Sequence, residues 1–140
     1  MNGDVFFDTN VLVYATAKDD ARAITAIDLL VDGGAVSIQV LNEFASVARR
    51  KLKWSWPEVT SALLAFRALL KAPLPVSLKT HEAALALAQR DGLNFYDALT
   101  VASALEARCK TLLSDDMQDG RVIAGGLTIR NPFGVRTGPS

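Results

Sequence analysis

Val5-Phe6-Phe7-Asp8-Thr9-Asn10 is the stretch on which the reading of this chain turns. An apolar run that stops on a carboxylate, followed by Thr9, Asn10 and a second apolar run, predicts a buried strand handing over to a helix. Open α/β sheets place their sites at such strand ends. Asp8 has apolar neighbours on both sides, so its charge needs a cation, hydrogen-bond donors or trapped water to be tolerated. A plain helix cap, with Asp8 or Asn10 bonding the first helical amides, accounts for the same residues.

Downstream, residues 10–17 read as a short helix, and Asp19-Asp20 caps a longer one carrying Ile24, Ile27, Leu30 and Val31 and closed by Gly33-Gly34. Residues 35–38 form a short strand candidate leading into a helix over about 40–52. Glu43 lies in its opening turns among Val40, Leu41, Phe44 and Val47, which places it on the solvent side or in a polar notch of the core. Arg49, Arg50, Lys51 and Lys53 make a dense basic run. Cations are favoured in a last helical turn, and the same run beside Trp54 and Trp56 suits RNA contact. Ser55-Trp56-Pro57-Glu58 has capping-box spacing and opens a very apolar helix to about 70. Leucines on more than one face make that helix either central or a partner surface, for a second copy or another protein.

Pro73 and Pro75 stop it, residues 74–78 read as another strand, and Thr80 caps a helix over 80–90 ended by Gly92. Asn94-Phe95-Tyr96-Asp97 opens a helix whose body has few polar residues, so a carboxylate at its start needs a reason. Residues 111–114 form a strand that again stops on acids, Asp115-Asp116, with Asp119-Gly120 turning away. Residues 126–129 make the last strand, and residues 134–140 are expected to be a disordered tail.

At 140 residues, half of them hydrophobic, the chain fits one domain able to bury a core without staples. No apolar window reaches spanning length without charges, and Asp4 and Asp8 interrupt the first apolar run. No membrane contact is therefore expected, and the cytoplasm is the expected location. The 15 basic residues balance 15 acidic ones, which excludes a bulk basic footprint and makes any nucleic-acid contact local. A single cysteine, Cys109, excludes an internal disulfide or thiolate cluster, and a single histidine, His81, excludes a two-imidazole mechanism.

Strands alternating with helices imply an α/β fold, a small parallel sheet wrapped by helices on both faces. If the strands ending at Asp8 and Ser114 are parallel neighbours, their acids emerge on one edge, together with the helix openings carrying Glu43 and Asp97. An all-oxygen site of that kind suits Mg²⁺ or Mn²⁺. Carboxylates gathered near a core also repel one another, so one or more is expected to hold its proton until a cation arrives.

Phe6-Phe7-Asp8-Thr9-Asn10, Asn42-Glu43-Phe44, Asn94-Phe95-Tyr96-Asp97-Ala98-Leu99 and Leu113-Ser114-Asp115-Asp116-Met117-Gln118-Asp119-Gly120 resemble the acidic motifs of the PIN-domain ribonucleases, and more narrowly of VapC-like toxins. The resemblance spans about residues 4–133, with residues 1–133 expected to be one PIN-like domain. It implies a Mg²⁺-dependent endoribonuclease cutting single-stranded or loop RNA, a homodimer, and a cognate antitoxin. Asp8, Glu43, Asp97 and Asp116 match the catalytic acids, with Asp8, Asp97 and Asp116 as metal ligands. Asn10, Ser114, Asp115 and Asp119 are the expected supporting residues, Asp119 also a candidate for a second ion. Two other classes share parts of the pattern. A haloacid-dehalogenase-like phosphatase wants a second aspartate where Asn10 stands, and a receiver-like switch wants a late strand-end lysine, for which only Lys110 is available; a non-catalytic protein-binding module with a relic cleft is a further alternative.

Overall fold

The computed structural model describes residues 4–134; the expected tail falls, apart from Gly134, outside them. β1 (Val5–Phe7) is followed by six helices before the next strand: α1 (Thr9–Ala15), α2 (Arg22–Asp32), α3 (Ile38–Arg50), α4 (Trp56–Leu69), α5 (Leu78–Asp91) and α6 (Phe95–Glu106). β2 (Thr111–Leu113), β3 (Val122–Ile123) and β4 (Leu127–Arg130) complete a sheet of order β1-β2-β4-β3. β1, β2 and β4 are parallel, with Phe7 opposite Leu113 and Leu113 opposite Arg130. Successive strand residues point to opposite faces. Phe6 and Phe7 are both fully buried, as Leu112 and Leu113 nearly are, so both faces of the sheet are covered.

β3 runs antiparallel to β4, an edge hairpin that the sequence reading leaves as a turn. The strands expected at 35–38 and 74–78 shrink to single bridges, Ala35 beside Phe6 and Leu74 beside Ser37. Their backbones still take ladder positions, Ala35 N–H donating to the Val5 carbonyl at 2.9 Å and Leu74 N–H to Val36 at 3.0 Å. Extension is blocked on one side because Ser37 accepts from the Val40 amide and starts α3. On the other, Pro73 and Pro75 flank Leu74 and have no N–H to donate. Gly34 makes the approach feasible: a Cβ there would stand 2.6 Å from the Phe7 ring and 2.8 Å from the Val5 carbonyl.

Several helix boundaries move: α2 is entered through Ala21, with Asp20 accepting from the Arg22 amide, and α3 ends at Arg50 rather than near 52. α1 ends at Ala15, two residues early; α3 begins at Ile38; and α5 is capped by Ser77, with Thr80 at the third position returning a bond to the Ser77 amide. The capping box at Ser55 and Glu58 forms as the sequence indicates. α6 is the most buried helix, with Ala98 through Ala104 all enclosed, packed between α5 and β2. α4 is not central: Val59 and Phe66 face inward, while Leu64 and Leu69 lie open. No helix of the described residues is long and apolar enough to cross a membrane.

Candidate active site

Parallel pairing of β1 and β2 carries the residues after Phe7 and after Leu113 to the same sheet edge. The Asp8 amide donates to the Leu113 carbonyl at 3.0 Å, which brings the Asp8 and Ser114 side chains face to face. Ser114 Oγ donates to Asp8 Oδ2 at 2.8 Å and itself accepts from the Asp116 amide at 3.1 Å. Asn10, in the first turn of α1, closes the set. Its Nδ2 lies 3.4 Å from Asp8 Oδ2, 3.2 Å from Ser114 Oγ and 3.3 Å from Asp116 Oδ2, and its Oδ1 accepts from the Asp115 amide at 3.2 Å. Asp8 is thus also the helix cap, accepting from the Thr9 amide at 2.8 Å, so the cap and site readings of this residue hold together.

Across a cleft of about 350 Å³ stand Glu43 and Asp97. Glu43 occupies a notch on α3, where Thr9 Oγ1 donates to it at 3.1 Å. Asp97 sits in the first turn of α6. Asn94 Nδ2 donates to its carboxylate at 2.8 Å, and its own amide donates to Asn94 Oδ1 at 2.9 Å. Asp8, Asn10, Glu43, Asp97, Asp115 and Asp116 all line this cleft, with Lys51 at its rim.

Burial raises the Asp8 pKa to about 6 against the pull of Ser114 and the Thr9 amide, with Asp116 and Asp97 adding repulsion. Glu43, Asp97 and Asp116 are likewise raised, each chiefly by loss of hydration; Asp97 repels Glu43, Asp116 repels Asp97, and Asp115 repels Asp116. Neutral donors hold these acids. The described salt bridges, Arg22 with Asp20 and Arg90 with Asp91, lie between near neighbours in sequence and outside the cluster.

Other expected residues go elsewhere. Asp119 is outside the cleft lining, its Oδ1 accepting from the Asn131 amide at 2.9 Å in the turn before β3. Arg49 donates to the Trp54 carbonyl at 2.9 Å and lies 4.5 Å over the Trp56 ring, and Arg50 bonds Ser46 at 3.0 Å. Lys53 is outside the lining as well, on a left-handed backbone at φ 62°. Of the basic run, Lys51 alone lines the cleft. Thr9, Tyr14, Tyr96 and Thr100 also line it and escaped the sequence reading as site residues. The available signal was helical spacing, since Tyr14 stands one turn beyond Asn10 and Thr100 one turn beyond Tyr96.

The donor set is hard oxygen throughout, the chemistry of a Mg²⁺ or Mn²⁺ site, and the raised pKa values register first lost hydration and then repulsion, both of which a bound cation would offset. As positioned, no three acids among the described residues stand close enough together to grip one ion. Donor chemistry and the shared cleft fit a divalent cation, and closing on it requires side-chain movement.

A sheet edge lined with carboxylates, ahead of a helix opening on another, defines an acidic-cleft α/β domain. The PIN domain family model matches residues 5–121, and the chain belongs to that family. No curated protein matches its sequence significantly. Among solved structures, the chain resembles a toxin–antitoxin complex from Klebsiella pneumoniae at a TM-score of 0.70 and 21% identity, covering 94% of this chain and 99% of that one. It resembles VapC20 of Mycobacterium tuberculosis, a sarcin-ricin loop cleaving toxin, at 0.62 and 22%, covering 77% and 86%. It also resembles VapBC2 of Rickettsia felis, bound to a DNA fragment from its promoter, at 0.61 and 22%, covering 91% and 97%. At such identities the likeness concerns the fold.

Proposed function

We propose that this protein is a metal-dependent endoribonuclease that cuts single-stranded or loop RNA and serves as the toxin of a toxin–antitoxin pair. The observation that carries the reading is the cleft itself. Asp8 and Asp116, far apart in sequence, are tied through Ser114 and Asn10 at one sheet edge and face Asp97 and Glu43. Asp8, Asp97 and Asp116 would hold Mg²⁺ or Mn²⁺, which when bound supplies an activated water and neutralises charge on the phosphoryl oxygens. Glu43 is the acid left outside that trio. Half-buried and raised in pKa, it would be the group to take a proton. Lys51 at the rim offers the one cleft-lining cation among the described residues to an RNA phosphate.

The named toxin–antitoxin complexes among the structural relatives support an antitoxin partner. So does apolar surface left open on α2 and α4, at Ile24, Ile27, Val31, Leu64 and Leu69. We assign this surface to the antitoxin or to a second copy in a homodimer. A cytoplasmic location follows from an RNA substrate. The phosphatase and receiver readings have less support: Asn10 takes the place of the second aspartate, and Lys110 precedes β2, at the end of that strand away from the cleft.

The test is cleavage of a loop-containing RNA with Mg²⁺ or Mn²⁺, with chelator, and by Asp8→Asn, Asp97→Asn and Asp116→Asn. Cleavage that persists in chelator, or in all three variants, overturns the reading.

A further inference from the structure

Tyr14 enters no motif above, yet its side chain is among the most heavily engaged beside the cleft. It stands one turn after Asn10 on the same edge of α1, so the two reach the loop after β2 side by side. Asn10 takes the Asp115 amide and the Asp116 carboxylate. Tyr14 takes the intervening carboxylate, its hydroxyl donating to Asp115 Oδ2 at 2.7 Å. The phenol is fixed in turn. Arg22 Nη1 donates to its oxygen at 3.0 Å, the guanidinium carbon lies 4.2 Å from the ring centroid, and Phe133 meets the ring edge-on at 4.7 Å. Asp20 holds Arg22 through bonds to Nε and Nη2 of 3.0 and 2.8 Å.

We infer that Tyr14 is a positioning residue: its hydroxyl, backed by Arg22, pins Asp115 aside so that Asp116 alone presents its charge to the cation. The inference rests on the metal-dependent reading proposed above. Asp115 and Asp116 are adjacent acids on one short loop that already repel each other, and a freed Asp115 would swing in and draw the cation away from Asp116. Both line the cleft, and one hydroxyl decides which of the two carboxylates is free to reach the cation. A tie that merely fastens α1 to the loop would need no particular charge on Asp115, and this separates the two roles.

The experiment compares wild type, Tyr14→Phe, Asp115→Asn and the double variant by Mn²⁺ titration calorimetry, alongside RNA cleavage. Tyr14→Phe keeps the ring against Phe133 and Arg22 and removes only the hydroxyl. Partners that orient metal ligands are worth about 10- to 100-fold in affinity, so Mn²⁺ binding should weaken roughly tenfold or more and kcat should fall with KM little changed. Adding Asp115→Asn removes the competing charge, and the double variant should recover Mn²⁺ binding to the level of Asp115→Asn alone. Equal Mn²⁺ affinity in wild type and Tyr14→Phe overturns the positioning role and leaves the nuclease reading intact. A double variant as weak as Tyr14→Phe shows a structural tie only and overturns it too. A wild type that takes up no Mn²⁺ overturns the metal-dependent reading and this inference with it.

Discussion

The cleft edge and the α2–α4 face carry opposite kinds of cost. At the cleft, carboxylates lose water and crowd one another, held by Ser114, Asn10, Asn94 and Thr9 in place of cations. On α2 and α4 the groups that folding ordinarily hides, Ile24, Val31 and Leu64, stand 69%, 61% and 58% exposed. One region keeps charge where apolar groups are favoured, and the other keeps apolar groups where charge is favoured. Under the proposed function each would be relieved by a binding event, a cation for the first and a protein for the second. Stability measured with and without each partner therefore separates them.

The largest expected effect is on cleavage. Asp8→Asn, Asp97→Asn and Asp116→Asn should each lower the rate by about two orders of magnitude or more, while substitutions at Ile27 or Leu64 leave it unchanged. RNA cleavage measured without antitoxin checks this. A Leu64→Ser form as inactive as Asp97→Asn would break the separation of the two regions.

Next is the pH dependence set by Asp8, whose pKa lies at about 6 in the folded chain against an ordinary 3.8. The folded state therefore holds this proton more tightly than the unfolded state. The associated stability is fully present below pH 3.8 and is lost as pH rises through about 6. A shift of about two units corresponds to about 3 kcal/mol. In chelator, Asp8→Asn should flatten this slope and, at neutral pH, exceed wild type by up to that amount, with the two converging near pH 4. Urea melts at several pH values measure it, and a wild type that gains stability from pH 4 to 7 contradicts it.

On the apolar face, Ile27→Ser and Leu64→Ser should change monomer stability by only about 0.5 kcal/mol, since neither side chain is enclosed. Partner affinity should fall by about 2 kcal/mol where the residue is central to the contact. Light scattering and titration with the co-expressed partner separate homodimer from antitoxin, and normal binding by both variants moves the contact elsewhere.

Legibility in the sequence followed the length of the signal. The strand ends at Asp8 and Ser114 could be read because an apolar run stops on polar residues, and Glu58 because a capping box has fixed spacing. The strands at 35–38 and 74–78 were overcalled, since apolar runs do not reveal that Ser37 starts a helix or that Pro73 and Pro75 deprive a ladder of donors. β3 was missed because two residues carry no period. In the site, the four acids and Asn10 were legible as types at spacings. Tyr14 was not, because its role depends on Arg22, Asp115 and Phe133 arriving from three other segments. Asp119 looked like a third acid of its motif, and only the turn shows that it serves Asn131.

The smallest effect is the most discriminating, because Asp97 fits both a site acid and a cap. Its carboxylate accepts from Asn94 and its amide donates back, an arrangement that a helix start alone would justify. Its pKa is nevertheless raised, first by loss of hydration and then by Asp116, so the charge is a net burden on the metal-free fold. Asp97→Asn keeps the shape and an acceptor while removing that charge. Without metal it should melt slightly above wild type, by under about 1 kcal/mol, since a half-exposed group is partly screened. Wild type should then gain more from Mn²⁺ than the variant, because stabilisation follows affinity for the folded state. Four melting curves decide the matter. If the variant melts lower without metal and Mn²⁺ shifts both proteins equally, Asp97 serves only to start α6, and the cleft has lost one of its ligands.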